Sequence, residues 1–210
     1  YVRRRLENFI PHKIRRKEIP KANGGIRPLG IPTIEDRIIQ QCIKQVLEPI
    51  CEAKFHNHSY GFRPNRGTLH AYSRAVTLAN INKLHYVVDI DIKGFFDNVN
   101  HGKLLKQMWS MGIQDKKVIS IISKLLKAEI VGLGKPEKGT PQGGILSPLL
   151  SNIVLNELDW WISNQWETFE TKKNYETERI ISGKRRLDRS SKYRALKRAS
   201  KLKEMFIVRY

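Results

Sequence analysis

Apolar positions along the chain switch between two periods, and the switches mark its elements. Ile14 to Ile19 and Ile26 to Ile31 read as strands, and Asn23-Gly24-Gly25 between them tolerates positive φ, so residues 12 to 31 predict a basic hairpin. From Thr33 the period lengthens. Ile34, Ile38, Cys42, Val46 and Ile50 step by four as the inward face of a helix, with Thr33 and Asp36 in a capping arrangement. A second helix after Thr68 points Leu69, Tyr72, Val76 and Ala79 inward. Residues 86 to 92 alternate instead: Tyr86, Val88, Ile90 and Ile92 take one face of a strand, and Val87, Asp89 and Asp91 the other. Asn100 caps a helix through Trp109, and Asp115 caps another with Val118, Ile121, Ile122 and Leu125 on its face. Ser147 suits an N-cap and Pro148 the first helical position, opening a helix that buries Leu149, Leu150, Ile153, Val154, Leu158, Trp161 and Ile162. Stacking of Trp160, Trp161 and Trp166 on bases is the alternative to burial of Trp161 with Trp160 and Trp166 at an interface between lobes. Helices alternating with hairpins and separated strands predict an α+β layer rather than a βαβ repeat.

The polar interruptions carry the chemistry. Asp89 and Asp91 share a strand face, where two carboxylates repel unless a cation or cationic partner sits beside them. Solvated strand-edge acids are the plain alternative. Gly139-Thr140-Pro141-Gln142-Gly143-Gly144 is a rigid turn that leads into the Pro148 helix and leaves Gln142 at an exposed mouth.

Four blocks, in order, resemble the group II intron reverse transcriptases: Ile19-Pro20-Lys21 through Gly24 to Thr33, Ser59 to Gly67, Asp91 to Asp97, and Thr140 to Pro148. The terminal Phe206 to Tyr210 looks like the strand leading into that family's Tyr-x-Asp-Asp turn. The resemblance implies right-hand polymerase fingers and palm, with an antiparallel palm sheet backed by helices. Fingers would occupy 1–84 and palm 85–210, with finger-associated helices near 101–139 and a basic insertion near 167–204. On this alignment the two later aspartates, the thumb and the maturase domains fall outside the chain, so the 210 residues alone are expected to bind RNA without extending a primer.

The implied activity is RNA-directed DNA synthesis, with assistance to splicing of the host intron. Extension joins a 3′ hydroxyl to the α-phosphorus of a nucleotide, and two Mg²⁺ ions about 3.5–4 Å apart stabilise the attacking and leaving oxygens. By resemblance Asp91 is the catalytic carboxylate and metal ligand, joined by the carbonyl of Ile92; a direct metal role for Asp89 stays open. Phe95 matches the ring that clashes with a ribose 2′ hydroxyl, while Phe96 suits core packing. Lys21 and Arg27 match finger residues that grip the triphosphate. Gln142 matches the glutamine that touches the nucleotide near sugar and base. Arg63 and Arg66 would either contact template phosphate or anchor their loop by hydrogen bonds.

Charge adds a partner. With 39 Lys and Arg against 20 Asp and Glu the chain carries +19, which points to a polyanion. Residues 171 to 204 hold 13 Lys and Arg against four acids and few periodic apolar residues, so Lys184, Arg185 and Arg186 are candidate RNA contacts in an exposed, partly helical insertion. No apolar run approaches the roughly 20 residues of a transmembrane helix. Cys42 and Cys51 fit neither a zinc site nor a disulfide framework. His56-Asn57-His58 spells a nuclease motif's name but reads as a loop. The expected partners are intron RNA, an RNA template, a DNA primer and dNTPs, with no membrane and a homodimer left open; the expected setting is bacterial cytoplasm in a ribonucleoprotein, an organelle not being excluded. Two other readings are a retron or diversity-generating reverse transcriptase, and an RNA-binding maturase or scaffold without polymerase activity.

Overall fold

The hairpin forms where the turn chemistry puts it. In a computed structural model that describes residues 2–20, 24–199 and 204–210, β1 (Arg15–Pro20) pairs antiparallel with β2 (Ile26–Ile31), and Gly24 takes φ 78° at the turn. The base of the hairpin is fixed by Ile14, whose N–H donates to Glu129 O at 2.8 Å and whose carbonyl accepts from Val131 at 3.0 Å. A short α1 (Val2–Glu7) precedes it.

Helices α2 (Ile34–Glu52), α5 (His101–Ser110), α6 (Lys116–Leu126) and α7 (Ser147–Asn164) enclose the core, with α3 (Thr68–Asn80) to one side and a single-turn α4 (Phe95–Asn98) before α5. Three of the four predicted caps form. Thr33 accepts from Asp36 N–H at 3.3 Å, Asn100 from Lys103 at 2.9 Å, and Asp115 from Lys117 and Val118 at 2.7 and 3.1 Å. Ile121, Ile122 and Leu125 of α6 are buried as expected.

The buried face of α2 is not the predicted one. Ile39, Ile43, Leu47 and Cys51 enter the core, while Ile34 is 76% and Val46 65% exposed. A four-residue step drifts by about 40° per repeat, so adjacent stripes both pass a periodicity test. Asp36 and Gln40 flank the stripe that wins, and both find buried partners. Asp36 accepts His12 N–H at 2.8 Å, and Gln40 Oε1 accepts Ile145 N–H at 2.8 Å. Gln40 thereby does the work expected of Ser147, which makes no cap; Ser147 Oγ donates to Pro141 O at 2.7 Å and closes the turn instead. In α3 only Ala71 and Leu78 are buried, and the predicted Leu69 and Tyr72 lie in solvent.

The two remaining predicted strands do not form. Residues 83–92 join no ladder, and both faces of the alternating run are exposed: Tyr86 98%, Val87 87%, Val88 82%, Ile90 67%. Phe206 to Tyr210 make one isolated bridge, Arg209 with Ser59. A strand exists only through a hydrogen-bonded neighbour, so alternation alone cannot make one. The described residues therefore contain two small antiparallel hairpins and helices, a mixed α+β fold, and no palm sheet.

The second hairpin is the basic insertion. β3 (Thr177–Ile181) and β4 (Lys184–Asp188) are joined by Ser182 and Gly183 at φ 52° and 74°, a two-residue turn with both φ positive. α8 (Ser190–Ala199) then folds back. Its Tyr193 stacks on Trp166 at 5.8 Å, and Trp166 is wholly buried. Trp161, predicted inward, is 62% exposed, and Trp160 donates to Lys54 O. Beyond Ile153, the buried residues of α7 are the polar Asn156, Asp159 and Ser163, which continue the buried Asn152.

Candidate nucleotide and nucleic-acid site

Three of the four sequence blocks meet in one place. The 139–147 turn lies on α4: Gly139 N–H donates to Val99 O and Thr140 N–H to Phe96 O, both at 2.7 Å. Buried His101 donates from Nε2 to Gly139 O at 2.7 Å. Gly139, at φ 90°, sits where a Cβ would stand 2.9 Å from the Asp97 carbonyl oxygen. The hairpin docks on the other side of the turn. Gly30 N–H donates to Gln142 O at 2.9 Å, and a Cβ on Gly143 would stand 2.7 Å from Gly30 O. Bare backbone at both positions lets the hairpin and turn touch.

A cleft of about 200 Å³ opens at this junction, lined among others by Arg16, Gly30, Asp97, Lys138, Thr140 and Gln142. Gln142 Nε2 donates to the Asp97 carboxylate at 3.3 Å. Phe95 and Phe96 are half-buried and meet edge to face at 5.9 Å; Phe95, rather than Phe96, packs on the core. Asp89, Asp91 and Ile92 lie on the exposed segment just before α4. Among the described residues no group of three His, Cys, Asp or Glu side chains could hold a metal ion. Lys21 lies outside the described residues. Arg27 stands on β2 opposite Ile19, with its side chain outside what is described.

Residues 19–181 match the family model described as reverse transcriptase (RNA-dependent DNA polymerase). The chain belongs to the reverse transcriptase family. It is 39% identical over 188 residues to Protein YkfC of Escherichia coli, covering 87% of this chain and 45% of that protein. It is 42% identical over 158 residues to Group II intron-encoded protein LtrA of Lactococcus lactis subsp. cremoris, covering 73% of this chain and 26% of LtrA. Nuclear intron maturase 2, mitochondrial, of Arabidopsis thaliana is 29% identical over 178 residues, covering 64% of this chain and 24% of that protein. The relatives thus include group II intron-encoded proteins, as the four blocks suggest, and the chain spans less than half the length of each of these three.

Other expected contacts of this reverse transcriptase domain fall elsewhere. Arg63 is 6% exposed, and its donors are spent inside: Nε and Nη2 on the Glu52 carboxylate at 2.8–3.1 Å, Nη1 on the carbonyls of His56 and Ser59 at 2.7 and 2.8 Å. Four of its five N–H donors are thus taken up inside the protein, an arrangement that anchors the loop. Arg66 donates to Asn57 O and lies over the Tyr60 ring at 5.8 Å, half-exposed. Lys184, Arg185 and Arg186 stand on the exposed β4, with Arg185 3.8 Å from Glu178.

Sequence reasoning missed a polar cluster beneath the His56–Arg63 loop. Asp159, fully buried, holds Arg209, whose Nε lies 2.9 and 2.8 Å from the two carboxylate oxygens. Beside it, Glu167 accepts from Arg74 and pairs with His58, each at 3.1 Å. Burial pushes the Glu167 carboxyl up, but the His58 hydrogen bond and the neighbouring charges of His58 and Arg74 outweigh it and hold the group below its usual range. Burial, with the charge of His58, lowers His56. The only available signal was the Asn152, Asn156, Asp159, Ser163 repeat, polar at helical spacing.

No described helix is long and apolar enough to cross a membrane.

Proposed function

We propose that the chain forms the fingers (1–84) and palm (85–210) of an RNA-directed DNA polymerase of group II intron type, which also binds its intron RNA to assist splicing and mobility. The observation that carries this is the junction of the β1–β2 hairpin, the Asp91–Asp97 block and the Gln142 turn around one cleft. Three segments distant in sequence, each of a type suited to a different part of a nucleoside triphosphate, converge there.

In this reading Lys21, which lies between β1 and β2 in the sequence, and Arg27 of β2 neutralise the triphosphate. Gln142, both donor and acceptor, meets sugar and base once a nucleotide displaces its contact with Asp97. Phe95 stands under the sugar, held by its packing on the core. Reverse transcriptases generally use Mg²⁺, which would stabilise charge on the transferring phosphate. The Asp91 carboxylate and Ile92 carbonyl are hard oxygen donors of the right kind, though the described residues do not make a metal site by themselves. RNA template and DNA primer, with dNTPs, are the proposed substrates; the basic surface supports a polyanionic partner.

The ring assignment has its own test, read in RNA-templated extension of a DNA primer by the full-length protein as encoded. Phe95→Ala is expected to relax discrimination against ribonucleotides, and Phe96→Ala to leave it unchanged. The opposite pattern would move the gate to Phe96.

Arg66 and the β4 cations are the proposed RNA contacts. Replacing Lys184, Arg185 and Arg186 together by Ala should weaken intron RNA binding and make the slope of log affinity against log salt shallower by roughly 2 units. Extension on a short generic template should suffer less. An unchanged slope in the folded triple variant would remove these three residues from the interface; equal loss of template extension would move them to the primer-template channel.

A further inference from the structure

Arg209 is tied at every guanidinium nitrogen. Nε and Nη2 reach Asp159 at 2.8–2.9 Å, Nη1 reaches Asn152 Oδ1 at 2.8 Å, and Nη2 also reaches Ser59 Oγ at 2.6 Å. Its main chain is held as well. Arg209 N–H donates to His58 O at 2.9 Å, and Tyr60 N–H donates to Arg209 O at 2.8 Å, making the parallel bridge with Ser59.

The next residue is fixed from below. A Cβ on Gly61 would stand 2.9 Å from the Tyr210 carbonyl carbon, a main-chain atom that cannot swing aside like a side-chain tip. Asn152 ties the two sides together, since its Nδ2 donates to Gly61 O at 2.9 Å while its Oδ1 accepts from Arg209. Arg63, spent on Glu52 and two loop carbonyls, holds the loop that carries Gly61. The Tyr210 side of this clamp is the opposite of buried: that residue is 67% exposed.

An ion pair that only stabilised the fold would need neither main-chain bonds on both sides of Arg209 nor bare backbone under its neighbour. We propose that Arg209, gripped by Asp159, Asn152 and Ser59, is a positioning residue for nucleotide addition, setting the main chain at Tyr210 against Gly61. This rests on the polymerase reading, in which the segment Phe206 to Tyr210, held here by the single Arg209–Ser59 bridge, leads to the polymerase's Tyr-x-Asp-Asp turn. Arginine is required rather than lysine, because a single ammonium cannot serve a carboxylate, an amide and a hydroxyl in fixed directions.

The test uses the full-length protein as encoded. Gly61→Ala leaves the ion pair intact and forces the Tyr210 main chain to shift; Arg209→Lys keeps the charge and loses the fork. In Gly61→Ala, kcat for single-nucleotide addition on an RNA template is expected to fall tenfold or more, with KM for dNTP and affinity for RNA within twofold of wild type. Amide hydrogen exchange at Tyr60 and Arg209 should quicken in the same variant. Arg209→Lys should show the same split and serves alone if Gly61→Ala does not fold. A folded variant with kcat within twofold of wild type overturns the inference, as does a loss carried by KM. Failure of the wild-type protein to add any nucleotide is a different result: it overturns the polymerase reading, and the inference with it.

Discussion

Replacing Asp91 by Ala in the full-length protein is expected to reduce RNA-templated DNA synthesis to background while leaving RNA affinity nearly unchanged. The carboxylate is exposed, and no hydrogen bond or ion pair reaches it from the described residues. Its removal should therefore cost the fold little, within about 0.5 kcal/mol as for other surface substitutions away from special features. It is also no phosphate contact, so the electrostatic part of RNA binding survives. On the proposed reading, what remains to be lost is a hard-oxygen ligand for Mg²⁺. Asp91→Asn should fail similarly, because an amide keeps the shape and gives up the charge. Asp89→Ala decides the open question beside it: activity near wild type would confine the role to Asp91. Synthesis by Asp91→Ala at the wild-type rate would remove this residue from the site.

The largest stability effect is expected at the buried Asp159–Arg209 pair. Asp159→Ala strips the partner from Arg209, whose side chain is only 15% exposed against 1% for Asp159. Breaking a buried pair by removing one member costs about 3–5 kcal/mol, since the surviving charge is left without compensation. At roughly 2–4 °C per kcal/mol for a domain of this size, the thermal midpoint should drop well outside measurement error. Asp159→Asn should cost less, because it keeps an acceptor for Nε. An unchanged midpoint in Asp159→Ala would mean that Arg209 is released to solvent without penalty and that the clamp at Tyr210 is loose.

The sequence made some features legible for reasons that are local. Thr33, Asn100 and Asp115 cap helices because a short polar side chain there satisfies a free N–H in any tertiary setting. The first hairpin follows from its glycines, and Ser182-Gly183 was an equally good sign of the second, overlooked under a run of positive charge. Features that depend on partners were misread. On α2, two stripes one residue apart looked alike, and the choice between them lay with buried partners for Asp36 and Gln40 more than 20 and 100 residues away. Residues 86–92 alternate as a strand should, yet without a pairing edge both faces stay wet. The apolar stripe predicted for α7 leaves Leu158 and Trp161 exposed, while Asn152, Asn156 and Asp159 turn inward to meet Arg209 and the His56–Arg63 loop. The candidate site rests on resemblance rather than on periodicity. Blocks at Gly30, Asp97 and Gln142 are far apart along the chain, and main-chain contacts together with the Gln142–Asp97 hydrogen bond bring them to one cleft.

The most direct measurement is incorporation of labelled dNTP into a DNA primer annealed to an RNA template, by the purified full-length protein with Mg²⁺, beside the Asp91→Ala variant. An RNA-directed polymerase should extend the primer with nucleotides dictated by the template, and the variant should not. Tight binding of the RNA with no extension by the wild-type protein would contradict the polymerase reading and leave an RNA-binding maturase or scaffold in its place.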